Sequence, residues 1–135
     1  MAFFEWQDDF SVHVREIDQQ HKKLIVMIND IHLNLFKYAR LDLQSKVVNA
    51  MIEYAADHFQ TEEKYMAEFN YPLSIEHMAE HDKFRKKTKE LKLKMQKQGY
   101  VMSMELLSYL KIWWKKHILI TDMKYSEFFN EHGLK

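Results

Sequence analysis

His58-Phe59-Gln60-Thr61-Glu62 is the stretch from which the fold can be read. His58 and Glu62 are four residues apart, so on an α-helix they project from one face about one turn, or ~6 Å, apart. The same face carries Val48, Met51, Ile52 and Ala55 before them, and Phe59 and Met66 beside and beyond. An imidazole and a carboxylate therefore sit on the apolar stripe that packing buries. A bare charge there is costly unless it is paired or bound to a metal. Alone, the two residues read as a hydrogen-bonded core pair. Matching groups on three other segments point instead to a metal.

The first of these segments is a helix over 18–38, with Asp18 as its N-cap. Its apolar face is Leu24, Ile25, Ile28, Ile31 and Leu35, and His21 lies on that face one turn earlier. Asp42 caps the second helix, 43–69, which carries His58 and Glu62. Glu63 is a rival carboxylate, but it points about 140° away from His58, whereas Glu62 is about 40° off. Tyr71-Pro72-Leu73-Ser74 interrupts the chain before a third helix, 73–98, that ends at Gly99. Its inner face is His77, His81, Phe84, Thr88, Leu91 and Met95, and His77-x-x-x-His81 is a helical metal-ligand spacing. The fourth helix, 103–129, carries Leu106, Leu110, Trp113, His117 and Thr121 on one stripe. Asp122 follows His117 by five residues, a rotation of about 140° on an ideal helix. Both can serve one site if the helix tightens, loosens or bulges between them, and a single π-type turn would suit. Residues 1–17 read as an N-terminal arm pinned by Trp6 and Phe10.

Composition narrows the function. The 135 residues make one domain, 1–135, with a real core. Twenty basic and twenty acidic residues cancel, which removes a general electrostatic case for nucleic acid. Eight Lys or Arg lie between Lys83 and Lys97 with no aromatic pattern among them, and they read as a solvated face. There is no cysteine, which excludes disulfides, thiolate metal sites and cysteine nucleophiles. The start lacks a signal-peptide pattern and no apolar run reaches membrane-spanning length, so a cytoplasmic protein is expected.

Four amphipathic segments with short links specify an all-α, antiparallel up-down-up-down four-helix bundle with an N-terminal arm. In that topology His21, near the start of one helix, meets His58, near the end of the next. His77 and His81 open the third helix and His117 nears the end of the fourth, so all the polar groups share one end of the bundle. Seven donors are too many for one tetrahedral zinc. Nitrogen and oxygen donors without sulfur suit iron, manganese or zinc, and carboxylates commonly bridge metal pairs.

The motifs His58-Phe-Gln-Thr-Glu62, His77-x-x-x-His81 and His117-Ile-x-x-x-Asp122, with Ile17-Asp18-Gln19-Gln20-His21, resemble the hemerythrin family, most closely its single-domain bacterial members. The resemblance implies that His77, His81 and His117 bind one iron and His21 and His58 a second. Glu62 and Asp122 would bridge the two together with a solvent-derived oxygen. The first iron is then six-coordinate, and the second keeps one position open for a small ligand, which in the family is dioxygen. Leu24, Phe59, Trp113, Trp114 and Ile118 would line that pocket. Trp114 departs from the pattern, since relatives usually carry a leucine three residues before the fourth-helix histidine. The expected function is reversible dioxygen binding by a carrier, store or delivery protein. It would act as a monomer, with an oxygen-consuming enzyme as recipient and neither nucleic acid nor a membrane span. The alternative is a di-iron oxidase, a peroxide-handling enzyme or a sensor. Five neutral imidazoles and only two carboxylates favour the ferrous state, and so binding over oxygen activation.

Overall fold

The computed structural model describes residues 5–37, 41–98 and 103–135. Among them the chain is helical, with no strand. A 3₁₀ turn at Asp8–Phe10 leads to α1 (Arg15–Lys37), α2 (Leu41–Glu68), α3 (Ser74–Gln98) and α4 (Ser103–Lys116). A π turn, His117–Thr121, and a 3₁₀ turn, Asp122–Tyr125, then run into the short α5 (Ser126–Glu131). Helix α1 packs on α2 and α4, while α3 packs on the same two from the other side. This closed ring of neighbours is the expected four-helix bundle.

The inner faces follow the helical period closely. Ile25, Ile28 and Ile31 on α1, Met51, Ala55 and Phe59 on α2, Phe84 and Leu91 on α3, and Leu110 on α4 form one buried core. The side chains of Leu35, Val48, Met95 and Leu106, predicted for the same faces, lie outside the described residues, as do Tyr38, Gly99 and the side chain of Asp42. Helix α2 begins at Leu41, so Asp42 stands inside its first turn and not ahead of it. No described helix is long and apolar enough to cross a membrane.

The start of α1 also differs from expectation, for a physical reason. Helix α1 starts at Arg15, so Asp18 lies inside its first turn and is not the N-cap. Its carboxylate reaches back instead, accepting from Ser11 Oγ (2.5 Å) and from the Val12 amide (2.9 Å). Asp18 thus ties down the arm, a relative of its capping role with a longer reach. The arm is buried through Val12, Val14 and Ile17, which join Met66, Tyr71, Tyr125 and Phe129 in a second apolar cluster. Trp6 and Phe10 pack against the main core as expected.

The α2–α3 corner sets where His77 begins. Asn70 adopts a left-handed φ of 54°, the Tyr71 amide donates to Met66 (2.9 Å) and the Asn70 amide to Ala67 (3.4 Å). This is a Schellman ending with its usual apolar contact, here Met66 and Tyr71 in one cluster. The same device closes α5: Gly133 has φ 87°, Leu134 donates to Phe129 (2.9 Å) and Gly133 to Asn130 (3.1 Å).

Candidate metal centre

All seven predicted ligands come together, and each is buried: His21 from α1, His58 and Glu62 from α2, His77 and His81 from α3, His117 and Asp122 from the fourth segment. The π turn brings in the last pair. The Asp122 amide donates to the His117 carbonyl across five residues, and the wider turn brings their side chains together, with His117 Nε2 2.9 Å from Asp122 Oδ1.

Every imidazole turns Nε2 inward. Asp122 divides its two oxygens between two groups of rings. Oδ2 lies 2.8 Å from His21 and 3.8 Å from His58, while Oδ1 lies 3.0 Å from His77 and 2.9 Å from His117. Glu62 Oε1 is 2.8 Å from His58, 3.4 Å from His117 and 3.5 Å from His81, and Oε2 is 3.3 Å from His77. Adjacent donors on an octahedral ion with bonds of about 2.1 Å stand about 3 Å apart, which is the spacing seen here. Two overlapping four-residue clusters have metal-binding geometry: Glu62 with His77, His81 and His117, and Glu62 with His58, His117 and Asp122. His21 falls outside that second set, yet its Nε2 is 3.2 Å from His58 Nε2 and faces the same Asp122 oxygen.

A cation fits these residues better than hydrogen bonds do. The inward Nε2 atoms of His77 and His81, Glu62 Oε2 and Asp122 Oδ1 are fully buried and make no hydrogen bond, although donors and acceptors crowd within 3.5 Å. Buried polar atoms rarely stay unsatisfied, and a shared central partner accounts for all four together. The outward nitrogens complete the design. His58 Nδ1 donates to Gln20 Oε1 (2.7 Å) and His81 Nδ1 to Glu63 Oε2 (2.7 Å), which leaves each Nε2 lone pair free for a metal. Arg85 Nη2 donates to the same Glu63 oxygen (3.0 Å). Glu80 faces His117 Nδ1 at 3.8 Å, and that imidazole holds its carboxyl down at about 2.

The electrostatics agree. Burial takes His21 below its usual range. For His58, His77 and His117 the carboxylates outweigh burial, raising His77 to about 9 and His117 well above normal. Burial pushes Glu62 up, but His58 and His117 hold it far down. Burial and Glu62 push Asp122 up, and His117 and His21 hold it down as well. Two buried carboxylates thus demand positive charge among the rings, and a metal ion supplies it without needing protons.

The wall is aromatic and apolar. Leu24, Phe59, Trp114 and Ile118 are buried, Phe59 is stacked on His81 (3.9 Å) and Trp113 on His117 (4.4 Å). The two tryptophans reverse the stripe expected from sequence. Trp114 is fully buried, with ring centres 5.9 Å from His58 and 5.7 Å from His117, while Trp113 is only partly buried. Tyr125 is a further buried group, stacked on His77 (5.5 Å). Burial, then Asp122 and Glu62, push its phenol well above the usual range. Gln20, Glu63, Glu80 and Tyr125 carry roles that sequence reasoning did not assign. His13 and His132 are exposed, and His32 lies about 16 Å along α1 from His21 by helical rise.

A four-helix bundle closing five inward imidazole nitrogens and two carboxylates at one end defines a sulfur-free, non-haem metal protein. The family model for the hemerythrin HHE cation binding domain matches residues 12–129, and the chain belongs to the hemerythrin family. It is 33% identical over 132 residues to a bacteriohemerythrin of Stenotrophomonas maltophilia (strain R551-3), covering 98% of this chain and 85% of that one. It is 32% identical over 128 residues to a bacteriohemerythrin of Clostridium acetobutylicum, covering 90% and 98%. A solved wild-type hemerythrin superposes with a TM-score of 0.85 at 27% identity, covering 93% of this chain and 97% of that one. Family membership and the histidine–carboxylate cluster together imply a non-haem iron site.

Proposed function

We propose that the seven residues hold two irons, His77, His81 and His117 on one and His21 and His58 on the other, with Glu62 and Asp122 shared, and that the centre binds dioxygen reversibly. The observation that carries this reading is the division of Asp122, one oxygen toward each group of imidazoles. The group with two rings has fewer protein donors than the group with three, so the small ligand belongs beside His21 and His58. When bound, the irons supply the electrons that hold dioxygen. The protein supplies the rest. Gln20 and Glu63 fix the tautomers of His58 and His81, and Leu24, Phe59, Trp114 and Ile118 keep water and anions from the pocket. The protein then serves as an oxygen carrier or store.

Tyr125 supports a second reading, oxidase chemistry, because a buried phenol stacked on His77 places an oxidisable side chain against a metal-facing ring. Titrating the anaerobic ferrous protein with oxygen separates the two. A colour change that reverses on degassing supports binding. Irreversible oxidation at the first exposure to oxygen supports the oxidase and contradicts our reading.

A further inference from the structure

The groove between α3 and α4 lies directly outside the metal centre, and nothing in the proposed oxygen chemistry uses it. It is a cavity of about 370 Å³, within the range that accommodates a small organic ligand. Lys83 and Lys87 from α3 and Lys116, Tyr109 and Trp113 from α4 are among the residues that line it. None of the three lysines is engaged in an ion pair among the described residues. The carboxylate in the lining, Glu80, is drawn toward His117 Nδ1.

The charge around the groove is concentrated to a degree that the neutral total hides. From Lys83 to Lys116 the chain has eleven Lys or Arg against only Glu90 and Glu105, and the remainder carries the opposite excess. A surface that joins unpaired ammonium groups to partly buried aromatic rings has a specific chemical complement. Lysines bind phosphate as point charges, and aromatic side chains offer flat surfaces to planar rings. An anionic ligand would lie toward the lysines and away from the Glu80 carboxylate, which shares the lining with His117.

We propose that this groove binds a phosphorylated planar ring, the chemistry shared by free mononucleotides and by single-stranded nucleic acid. The ring rests against Tyr109 and Trp113, and the phosphate meets Lys83, Lys87 and Lys116. Trp113 stacks on His117 at 4.4 Å, so a ring held there is separated from a metal-ligating imidazole by one indole. The site depends on neither dioxygen binding nor the number of irons.

Flavin mononucleotide is a direct probe, followed by its own fluorescence on addition of the full-length, metal-loaded protein. Riboflavin, which lacks the phosphate, is the control that needs no variant. The mononucleotide is expected to bind, riboflavin at least about tenfold more weakly, and Lys83→Glu/Lys87→Glu protein with unchanged metal content to lose a similar factor. Oligothymidylates of increasing length identify the source. Affinity that climbs with length assigns the groove to single strands, and affinity that stays flat assigns it to free nucleotides. Equal binding of riboflavin and flavin mononucleotide, or a double variant that binds as the parent does, would overturn the proposal.

Discussion

Gln20 and Glu63 hold the outward nitrogens of His58 and His81 at the same distance, 2.7 Å, yet only Glu63 brings a charge to its ring. A carboxylate behind an imidazole makes it a stronger donor, so Glu63→Gln should weaken metal binding by about tenfold with the fold intact. Competition against a chelator measures this, and an unchanged affinity would make Glu63 a surface partner of Arg85 alone. Sequence geometry chose Glu62 over Glu63 correctly as the inward carboxylate. It missed Glu63's own role because the angle that turns it from His58 aims it at α3, and one helix's spacing does not reveal what stands there. Trp114 was legible as a departure that lines the pocket, and the structure adds that its ring is fully buried 5.9 Å from His58. Trp114→Leu should destabilise the protein by roughly 2 kcal/mol through the space it leaves. It should also speed both oxygen uptake and autoxidation, because a bulky wall beside His58 is gone. Stopped-flow association rates equal to the parent's would show that Trp114 only packs.

Helix endings and irregular turns decide how the elements meet. The five-residue step from His117 to Asp122 signalled a π turn in the sequence because a regular helix would have aimed the two apart. The start of α1 was less legible: Asp18 has the right chemistry for a cap, but Val12 and Val14 are buried and their packing fixes the arm, so the helix begins earlier. Asn70 ends α2 with φ 54°, a conformation that Asn and Gly accept and β-branched residues resist. Asn70→Gly should leave the melting temperature near that of the parent, whereas Asn70→Val should cost about 1–2 kcal/mol. Matching thermal transitions for the two variants would remove the corner from the account. Between α1 and α2, the Tyr65 hydroxyl donates to Glu16, which raises the phenol to about 12, with smaller contributions from burial and other carboxylates. A raised folded pKa favours the protonated form, so this link is fully present below the ordinary tyrosine value near 10 and is lost as pH climbs through about 12. Ultraviolet titration should find a late-ionising phenol that Tyr65→Phe removes. An unchanged titration would contradict the link.

At the scale of the molecule, antiparallel alternation is what turns four separate polar interruptions into one site. His21 opens α1, His58 and Glu62 lie toward the end of α2, His77 and His81 open α3, and His117 and Asp122 follow α4. That logic was fully legible in the sequence, since it needs only helix order and ligand height. The electrostatic polarity of the bundle was legible only in part: eight Lys or Arg between Lys83 and Lys97 stand out but read as a solvated face, because one helix's spacing does not reveal the groove that α4 completes. The central claim is that this one end holds a pair of irons, on which the shared carboxylates and the place for dioxygen both depend. Elemental analysis after anaerobic iron reconstitution tests it most directly, in the parent and in His58→Ala and Glu62→Ala proteins. The account predicts two irons per chain in the parent, and a loss of metal with lowered thermal stability in both variants. One metal per chain in the parent, or variants that keep both irons, would contradict it.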